Sequence, residues 1–162
     1  TAEYGELEQL HNSGISPIKT HDITGSLRGR SNILSRLREL LENAKQEIMI
    51  CTSVLDFEDK SRVLVPALEK LSKGKIRIKL VLYGEPDRIK KLNAKYDLKA
   101  RPIYTPARFF VVDKKEILFI VTPENAEEEI GVWLQSQFFT SSLSNIVEYN
   151  LKNAVAPINL RE

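Results

Sequence analysis

Three residues near the middle of the chain have the spacing of a motif that cleaves phosphodiesters. Arg108 and Asp113 lie five residues apart, and Pro106 lies two residues before Arg108. In the motif His-x-Lys-x4-Asp, the corresponding positions hold a lysine, an aspartate and a nucleophilic histidine. Proline has no side-chain nitrogen, so it can neither attack phosphorus nor transfer a proton. The pattern therefore predicts the cleft of such an enzyme without its nucleophile.

The elements that position this motif follow from the apolar periodicity of the chain. The predicted helices cover residues 31–45, 59–73, 85–95 and 138–152. The predicted strands cover residues 47–53, 76–83, 98–104, 108–113, 116–122 and 131–135. Alternating strands and helices followed by a hairpin indicate an α/β fold, namely an α/β sandwich with a mixed central sheet flanked by helices.

Local signals refine the helices. Ser31 is expected to cap the first one. The glycines within residues 25–29 are expected to turn the chain onto that helix, with Arg28 and Arg30 as an alternative anion site at its N-terminus. Pro66 is tolerated only near the first turn of the second helix. Four apolar residues of the last helix are expected to face the core: Phe139, Leu143, Ile146 and Val147.

Composition bounds the class of protein. The chain has 162 residues, the size of one domain, and a net charge of +2 from 24 basic and 22 acidic residues. This excess is too small to argue for nucleic-acid binding. Cys51 is the only cysteine, and His11 and His21 stand apart from clustered carboxylates. No metal and no other cofactor is therefore expected. No apolar run is long enough to span a membrane, and a cytoplasmic protein is expected.

Polar residues at the ends of apolar strands predict a ligand pocket. Ser53, Tyr83, Tyr104, Arg108 and Asp113 are expected to converge there. Arg108 would hold an anion or sugar hydroxyls, and Asp113 would orient its guanidinium group. In the alternative, Arg108 and Asp113 neutralise each other in a closed cleft, or Asp113 only accepts backbone N–H groups in the hairpin turn.

Trp133 is the sixth candidate for the pocket. It is the only tryptophan, and strand alternation places it on the same face as Gln135. Packing in the core or in a dimer is one role for this side chain. A stacking platform at the mouth of the pocket is the other.

Five segments carry a resemblance to a known family through their order and spacing. They cover residues 23–33, 42–48, 73–80, 108–113 and 131–133. Together they resemble the phospholipase-D-like regulatory domain of archaeal TrmB-family transcription regulators. In such regulators, this domain follows a DNA-binding winged helix and a helical linker. The resemblance implies a homodimer whose role is ligand sensing or oligomerisation rather than catalysis.

The resemblance also implies a domain organisation. Residues 1–26 are expected to form a leading segment, with Tyr4–Leu10 as the end of the linker helix. Residues 27–153 form the regulatory domain, and residues 154–162 form a tail. About 20 residues cannot hold a winged helix, so DNA would be contacted only through a domain missing from this chain. The sugar-binding members of the family carry an additional β-rich domain. The residues of this chain do not identify a particular small-molecule effector.

The predicted function is thus a catalytically inactive effector-sensing and dimerisation domain of a TrmB-like regulator. One alternative is a working phosphodiesterase or nuclease of the phospholipase D superfamily, which would require a histidine at Pro106 or one delivered from elsewhere. The other alternative is a protein-interaction scaffold without a small ligand.

Overall fold

A seven-stranded mixed sheet organises residues 23–153, the part of the chain that the computed structural model describes. The strand order is β1-β7-β6-β5-β2-β3-β4, with parallel pairing among β2, β3 and β4 and antiparallel pairing elsewhere. The strands are β1 (Ile23–Arg28), β2 (Glu47–Ser53), β3 (Arg77–Tyr83), β4 (Arg101–Pro102), β5 (Phe109–Val112), β6 (Glu116–Ile120) and β7 (Ile130–Gln135). The predicted α/β sandwich with a mixed sheet is confirmed.

Five helices cover this sheet within the described residues. They are α1 (Arg30–Glu42), α2 (Val54–Asp59), α3 (Ser61–Lys73), α4 (Pro86–Tyr96) and α5 (Gln137–Asn153). None of these helices is long and apolar enough to cross a membrane. The predicted linker end at 4–10, both histidines and the tail at 154–162 lie outside the described residues.

Every residue of β2 is buried, because helices cover both faces of the central strands. Ile48 and Ile50 point toward one face, where they pack with apolar residues of α1, α3 and α4. Met49 and Cys51 point toward the other face, which includes Val147 of α5. This alternation follows from the two-residue repeat of a strand, and it makes β2 the centre of two apolar cores.

The strand β1 was not predicted from the sequence. Residues 23–28 form an edge strand that pairs antiparallel with β7, with an irregularity between Ile23 and Gly25. The expected turn is confined to Gly29, whose φ of 88° lies in the left-handed region that favours glycine. Helix α1 begins directly after it at Arg30, without a side-chain cap, so the prediction that Ser31 caps this helix is wrong.

The helix predicted over 59–73 is in fact the second of two helices. The chain leaves β2 through the six-residue helix α2, which Ser53 caps by accepting a hydrogen bond from the backbone N–H of Asp56. Lys60 then separates α2 from α3. Pro66 lies inside α3 rather than in its first turn. Proline has no N–H group for the carbonyl of Arg62, four residues earlier, and Arg62 is an exposed residue.

Helix α5 is rotated relative to the prediction. Val147 is buried and Leu143 is partly buried, as expected, but Phe139 and Ile146 are exposed. Thr140 and Ser144 occupy buried positions in their place. Thr140 explains this orientation, because its hydroxyl donates a hydrogen bond to the carbonyl of Lys114 and also lies 3.1 Å from the carbonyl of Gln137. The predicted inward position of Phe139 and Ile146 is therefore wrong.

Asp113 joins the β5–β6 turn to the start of β2. Its carboxylate accepts hydrogen bonds from three consecutive backbone N–H groups, those of Lys45, Gln46 and Glu47, at 2.7 to 3.2 Å. Its own N–H donates to the carbonyl of Glu47 at 2.7 Å. Its φ of 55° is left-handed, a conformation that aspartate tolerates better than most residues. Asp113 therefore fixes the antiparallel register of β5 on β2.

Asp113→Ala is expected to lower the free energy of unfolding by about 2 kcal/mol, because it removes a charged acceptor from several N–H groups. Asp113→Asn is the matched control, since it keeps one acceptor oxygen and tolerates the left-handed backbone. Urea unfolding followed by circular dichroism measures both losses. Equal stability of Asp113→Ala and the parent chain would show that the turn does not depend on this carboxylate.

Candidate functional site

Four charged side chains, three of them buried and one partly buried, meet at the carboxyl end of β2, beside the start of β5. Arg108 Nη1 lies 3.2 Å from Asp56 Oδ1 and 3.0 Å from Glu129 Oε2. Lys60 Nζ lies 3.0 Å from the same Glu129 oxygen and also contacts Asp56 Oδ1. We call these residues, Asp56, Lys60, Arg108 and Glu129, the charge cluster.

The end of β2 and the helix that follows it hold Asp56 in place. Thr52, the penultimate residue of the strand, donates its hydroxyl proton to Asp56 Oδ2 at 2.5 Å. Ser53 fixes the backbone of Asp56 through the helix cap. Lys60 lies four residues further along, so helical geometry brings its fully buried ammonium group back to the Asp56 carboxylate.

Glu129 reaches the charge cluster from the segment between β6 and β7, residues 121–129, which we call the acidic loop. The loop is fastened at several points. Arg108 Nη2 donates to the carbonyl of Thr122 at 2.5 Å, and the Thr122 hydroxyl accepts the N–H of Ile130 at 3.1 Å. The carbonyl of Glu129 accepts the N–H of Gly29 at 2.8 Å, which connects the loop to the β1–α1 turn.

The charge cluster contains two cations and two anions, so it is neutral as a whole. Removing isolated charges from water costs several kcal/mol each, and pairing offsets this cost only when both signs are present. One atom is an exception, because Glu129 Oε1 is buried without a hydrogen-bond partner. The Arg108 guanidinium, by contrast, already contacts three groups of the protein.

An open pocket of about 580 Å³ lies against Arg108 on the outer side of the charge cluster. Pro106, Tyr83 and Glu124 contribute to its walls, together with Thr122 of the acidic loop. The Tyr83 hydroxyl donates to Glu124 Oε1 at 2.8 Å. Burial, and then this hydrogen bond to a carboxylate, raise the pKa of Tyr83, so the phenol stays protonated at neutral pH. Pro106, which stands where the motif has its nucleophile, lines this pocket together with Arg108.

The structure brings three of the six predicted pocket residues together. Ser53, Tyr83 and Arg108 lie at the same end of the sheet, where Tyr83 and Arg108 line the pocket and Ser53 lies beneath as a helix cap. Tyr104 is exposed on the loop after β4 and does not line the pocket.

Asp113 and Trp133 lie elsewhere. Asp113 follows β5 whereas Arg108 precedes it, so about five residues of extended chain, or about 16 Å, separate them. The predictions that Asp113 orients or neutralises Arg108 are therefore wrong. Trp133 packs against the helix-covered core, donates its indole N–H to Glu116 at 3.0 Å, and has the Arg36 guanidinium 3.9 Å above its ring. Of its two predicted roles, the structure supports packing.

Asp56, Lys60 and Glu129 were not predicted from the sequence. Asp56 and Lys60 follow a buried strand at helical spacing, which was the available signal for a pair on one helix face. Glu129 belongs to a run with Glu127 and Glu128, and nothing in the sequence distinguishes the member of this run that reaches the charge cluster.

Other reactive groups of the described residues do not form a site. No group of three or more histidine, cysteine, aspartate or glutamate side chains there is arranged to hold a metal ion. The Cys51 thiol is buried in β2 and donates to the carbonyl of Ala107. Burial raises its pKa to about 12, so it is not a nucleophile at neutral pH.

Comparison with known proteins places this site in a family. Residues 26–147 match the family model of the transcriptional regulator TrmB, effector-binding domain (EBD), N-terminal subdomain. The chain belongs to the TrmB family. The matched residues include the charge cluster, the residues that line the pocket and six of the seven strands in full. No curated protein sequence matches the chain significantly.

Solved structures confirm a phospholipase-D-like fold for this TrmB-family domain. TrmBL2, an archaeal chromatin protein described as having a novel mode of DNA binding, matches with a TM-score of 0.61 and 16% identity over 91% of this chain and 59% of TrmBL2. The chain thus spans about three-fifths of that protein. NucT from Helicobacter pylori matches with a TM-score of 0.56 and 9% identity over 78% of this chain and 95% of NucT. Nuc from Salmonella typhimurium, a phospholipase D family member, matches with a TM-score of 0.51 and 17% identity over 78% and 94%.

Arg108→Met is expected to lower the free energy of unfolding by about 3 to 5 kcal/mol, because it leaves Asp56 and Glu129 with one cation between them. Arg88→Met is the matched control, since Arg88 forms an exposed pair with Glu58 that contributes at most about 1 kcal/mol. Urea denaturation measures both. A loss for Arg108→Met no larger than that of Arg88→Met would contradict a structural role for the charge cluster.

Proposed function

We propose that this TrmB-type regulatory domain is a catalytically inactive, homodimeric effector sensor. The observation that carries the proposal is the state of the former catalytic cleft. Proline replaces the nucleophile, and the neighbouring cation contacts two carboxylates and a carbonyl. Covalent catalysis needs an activated nucleophile beside a base, and neither Tyr83 nor Cys51 meets this requirement.

The pocket supports the sensing part of the proposal. It has polar groups on a rigid strand end, namely Tyr83 and Arg108, and apolar walls that include Phe119 and Ile120. A few oriented polar groups in an otherwise apolar cleft are typical of sites for small ligands. Tyr83, Arg108 and the acidic loop are therefore the groups that we propose contact an effector.

The main alternative is a working phosphodiesterase, because Nuc belongs to the phospholipase D family. We propose instead that DNA is contacted by a winged-helix domain outside the described residues and that the protein acts in the cytoplasm. The small net charge of +2 supports this assignment, because phosphate neutralisation dominates non-specific affinity for DNA.

Plasmid DNA and bis-p-nitrophenyl phosphate are both expected to remain uncleaved by the purified chain, and short duplexes are expected to bind weakly and without sequence preference. Nitrophenolate release, gel electrophoresis and mobility shifts provide the measurements. Glu85→Gln, an exposed substitution, serves as a control for contaminating nuclease. Saturable hydrolysis that Arg108→Met abolishes in a folded variant, or tight sequence-specific DNA binding, would overturn the assignment.

Helix α5 supports the homodimer. Phe138, Ile146 and Tyr149 are 82%, 57% and 68% exposed, and they recur along one side of the helix. The 17 residues of α5 contain two charged side chains, Glu148 and Lys152, although charged residues make up 28% of the chain. Depletion of charge and enrichment of aromatic residues are characteristic of the core of a protein interface. An uncharged face also pairs with its own copy across a two-fold axis without like-charge repulsion.

Ile146→Arg is expected to convert a dimer into a monomer, because two copies of the new charge would meet at a two-fold contact. Ala94→Arg, on the exposed side of α4, is the matched control. Multi-angle light scattering at micromolar concentration reports the mass. A parent chain that is monomeric at 18.5 kDa would contradict the dimer, and a dimer that survives Ile146→Arg would place its interface elsewhere.

A further inference from the structure

Two buried cations converge on a single carboxylate oxygen in the charge cluster. Lys60 Nζ and Arg108 Nη1 each lie 3.0 Å from Glu129 Oε2. The second oxygen of the same carboxylate, Oε1, is buried and has no hydrogen-bond partner. A buried acceptor without a partner is destabilising, so Glu129 occupies this position at a disadvantage.

The two carboxylates of the cluster are held unequally. Asp56 lies on a helix that Ser53 caps, and its carboxylate also accepts the Thr52 hydroxyl proton. Glu129 is the last residue of the acidic loop, and its carboxylate contacts only Lys60 and Arg108 among the described side chains. If one anion leaves the cluster, it is Glu129, and the remaining groups then carry one excess positive charge.

The open pocket borders this position at Arg108. Arg108 forms part of the pocket wall, and the other wall is the beginning of the acidic loop, residues 121–124. Arg108 also contacts the Thr122 carbonyl, so the same side chain touches the pocket, the loop and Glu129. Movement of the loop away from Arg108 would uncover both cations.

We propose that Glu129 is an internal substitute for an anionic effector. A small oxyanion, the phosphate or carboxylate group of a metabolite, binds Lys60 and Arg108 in its place and releases the acidic loop. Exchange of Glu129 for a singly charged oxyanion keeps the cluster neutral, so it avoids the cost of an unpaired buried charge. This inference rests on the proposed sensing function and specifies the chemical class of the effector.

The displaced loop is connected to the N-terminal side of the domain. The carbonyl of Glu129 accepts the N–H of Gly29, which separates β1 from α1, and Arg28 pairs with Glu128 at 3.3 Å. Strand β1 follows directly on residues 1–22 in the sequence. Release of Glu129 would therefore change the contacts of the first described strand, which gives anion binding a structural output.

Glu129→Gln tests the proposal, because it removes the competing charge and preserves the shape of the side chain. Glu128→Gln is the matched control from the same loop, where the carboxylate is exposed. Isothermal titration with inorganic phosphate, at ionic strength matched with sodium chloride, is expected to show at least tenfold tighter binding to Glu129→Gln than to the parent or to Glu128→Gln. Titration with acetate in parallel distinguishes a phosphate site from a carboxylate site. Equal affinity of the three proteins for both anions would overturn the proposal.

A second measurement covers the case in which Glu129→Gln does not fold. In Glu129→Ala, phosphate or acetate is expected to raise the melting temperature saturably, and Glu128→Ala is expected to show no such rise. In the parent chain, phosphate is expected to shift the amide resonance of Gly29. Absence of both effects would refute the anion site and would not affect the proposal of an inactive regulatory domain. Phosphodiester hydrolysis would refute the proposed inactivity and would not by itself exclude an anion site.

Discussion

The pairing of Asp56, Lys60, Arg108 and Glu129 is the constraint on which the rest of the site depends. Two cations and two anions meet at the end of the central strand; Asp56, Lys60 and Arg108 are buried there, and Glu129 is partly buried. The cost of removing each charge from water is offset only because charges of the opposite sign lie beside it. The cluster therefore fixes the short helix after β2, the start of β5 and the end of the acidic loop relative to one another.

This constraint supports the proposal that this phospholipase-D-like fold serves a purpose other than hydrolysis. The cation next to the missing nucleophile has become part of a neutral, internally paired structure, while an open pocket remains beside it. Asp113, the acidic end of the same motif, instead holds the backbone at the opposite end of β5. The motif thus retains its spacing, although one of its members lines an open pocket and another holds a structural turn.

The sequence predicted the elements that have strong local signals and failed where distant contacts decide. The boundaries of β2 were predicted correctly because its apolar run is fully buried. Strand β1 was missed because it contains glycine and depends on pairing with β7, more than 100 residues away. Arg108 was predicted as a site residue, but its partner was misassigned to Asp113. The true partners, Asp56 and Glu129, lie 52 and 21 residues away in sequence. The residue type alone does not distinguish a charged side chain that is paired inside the protein from one that is solvated.

A double-mutant cycle between Arg108 and Glu129 tests the central claim most directly. The free energies of unfolding of Arg108→Met, Glu129→Gln and the double variant are compared with that of the parent chain. A coupled buried pair predicts that the double variant is more stable than the sum of the single losses allows, by about 1.5 kcal/mol or more, because no unpaired charge remains between these two positions. Additive losses would show that the two side chains do not depend on each other and would contradict this account.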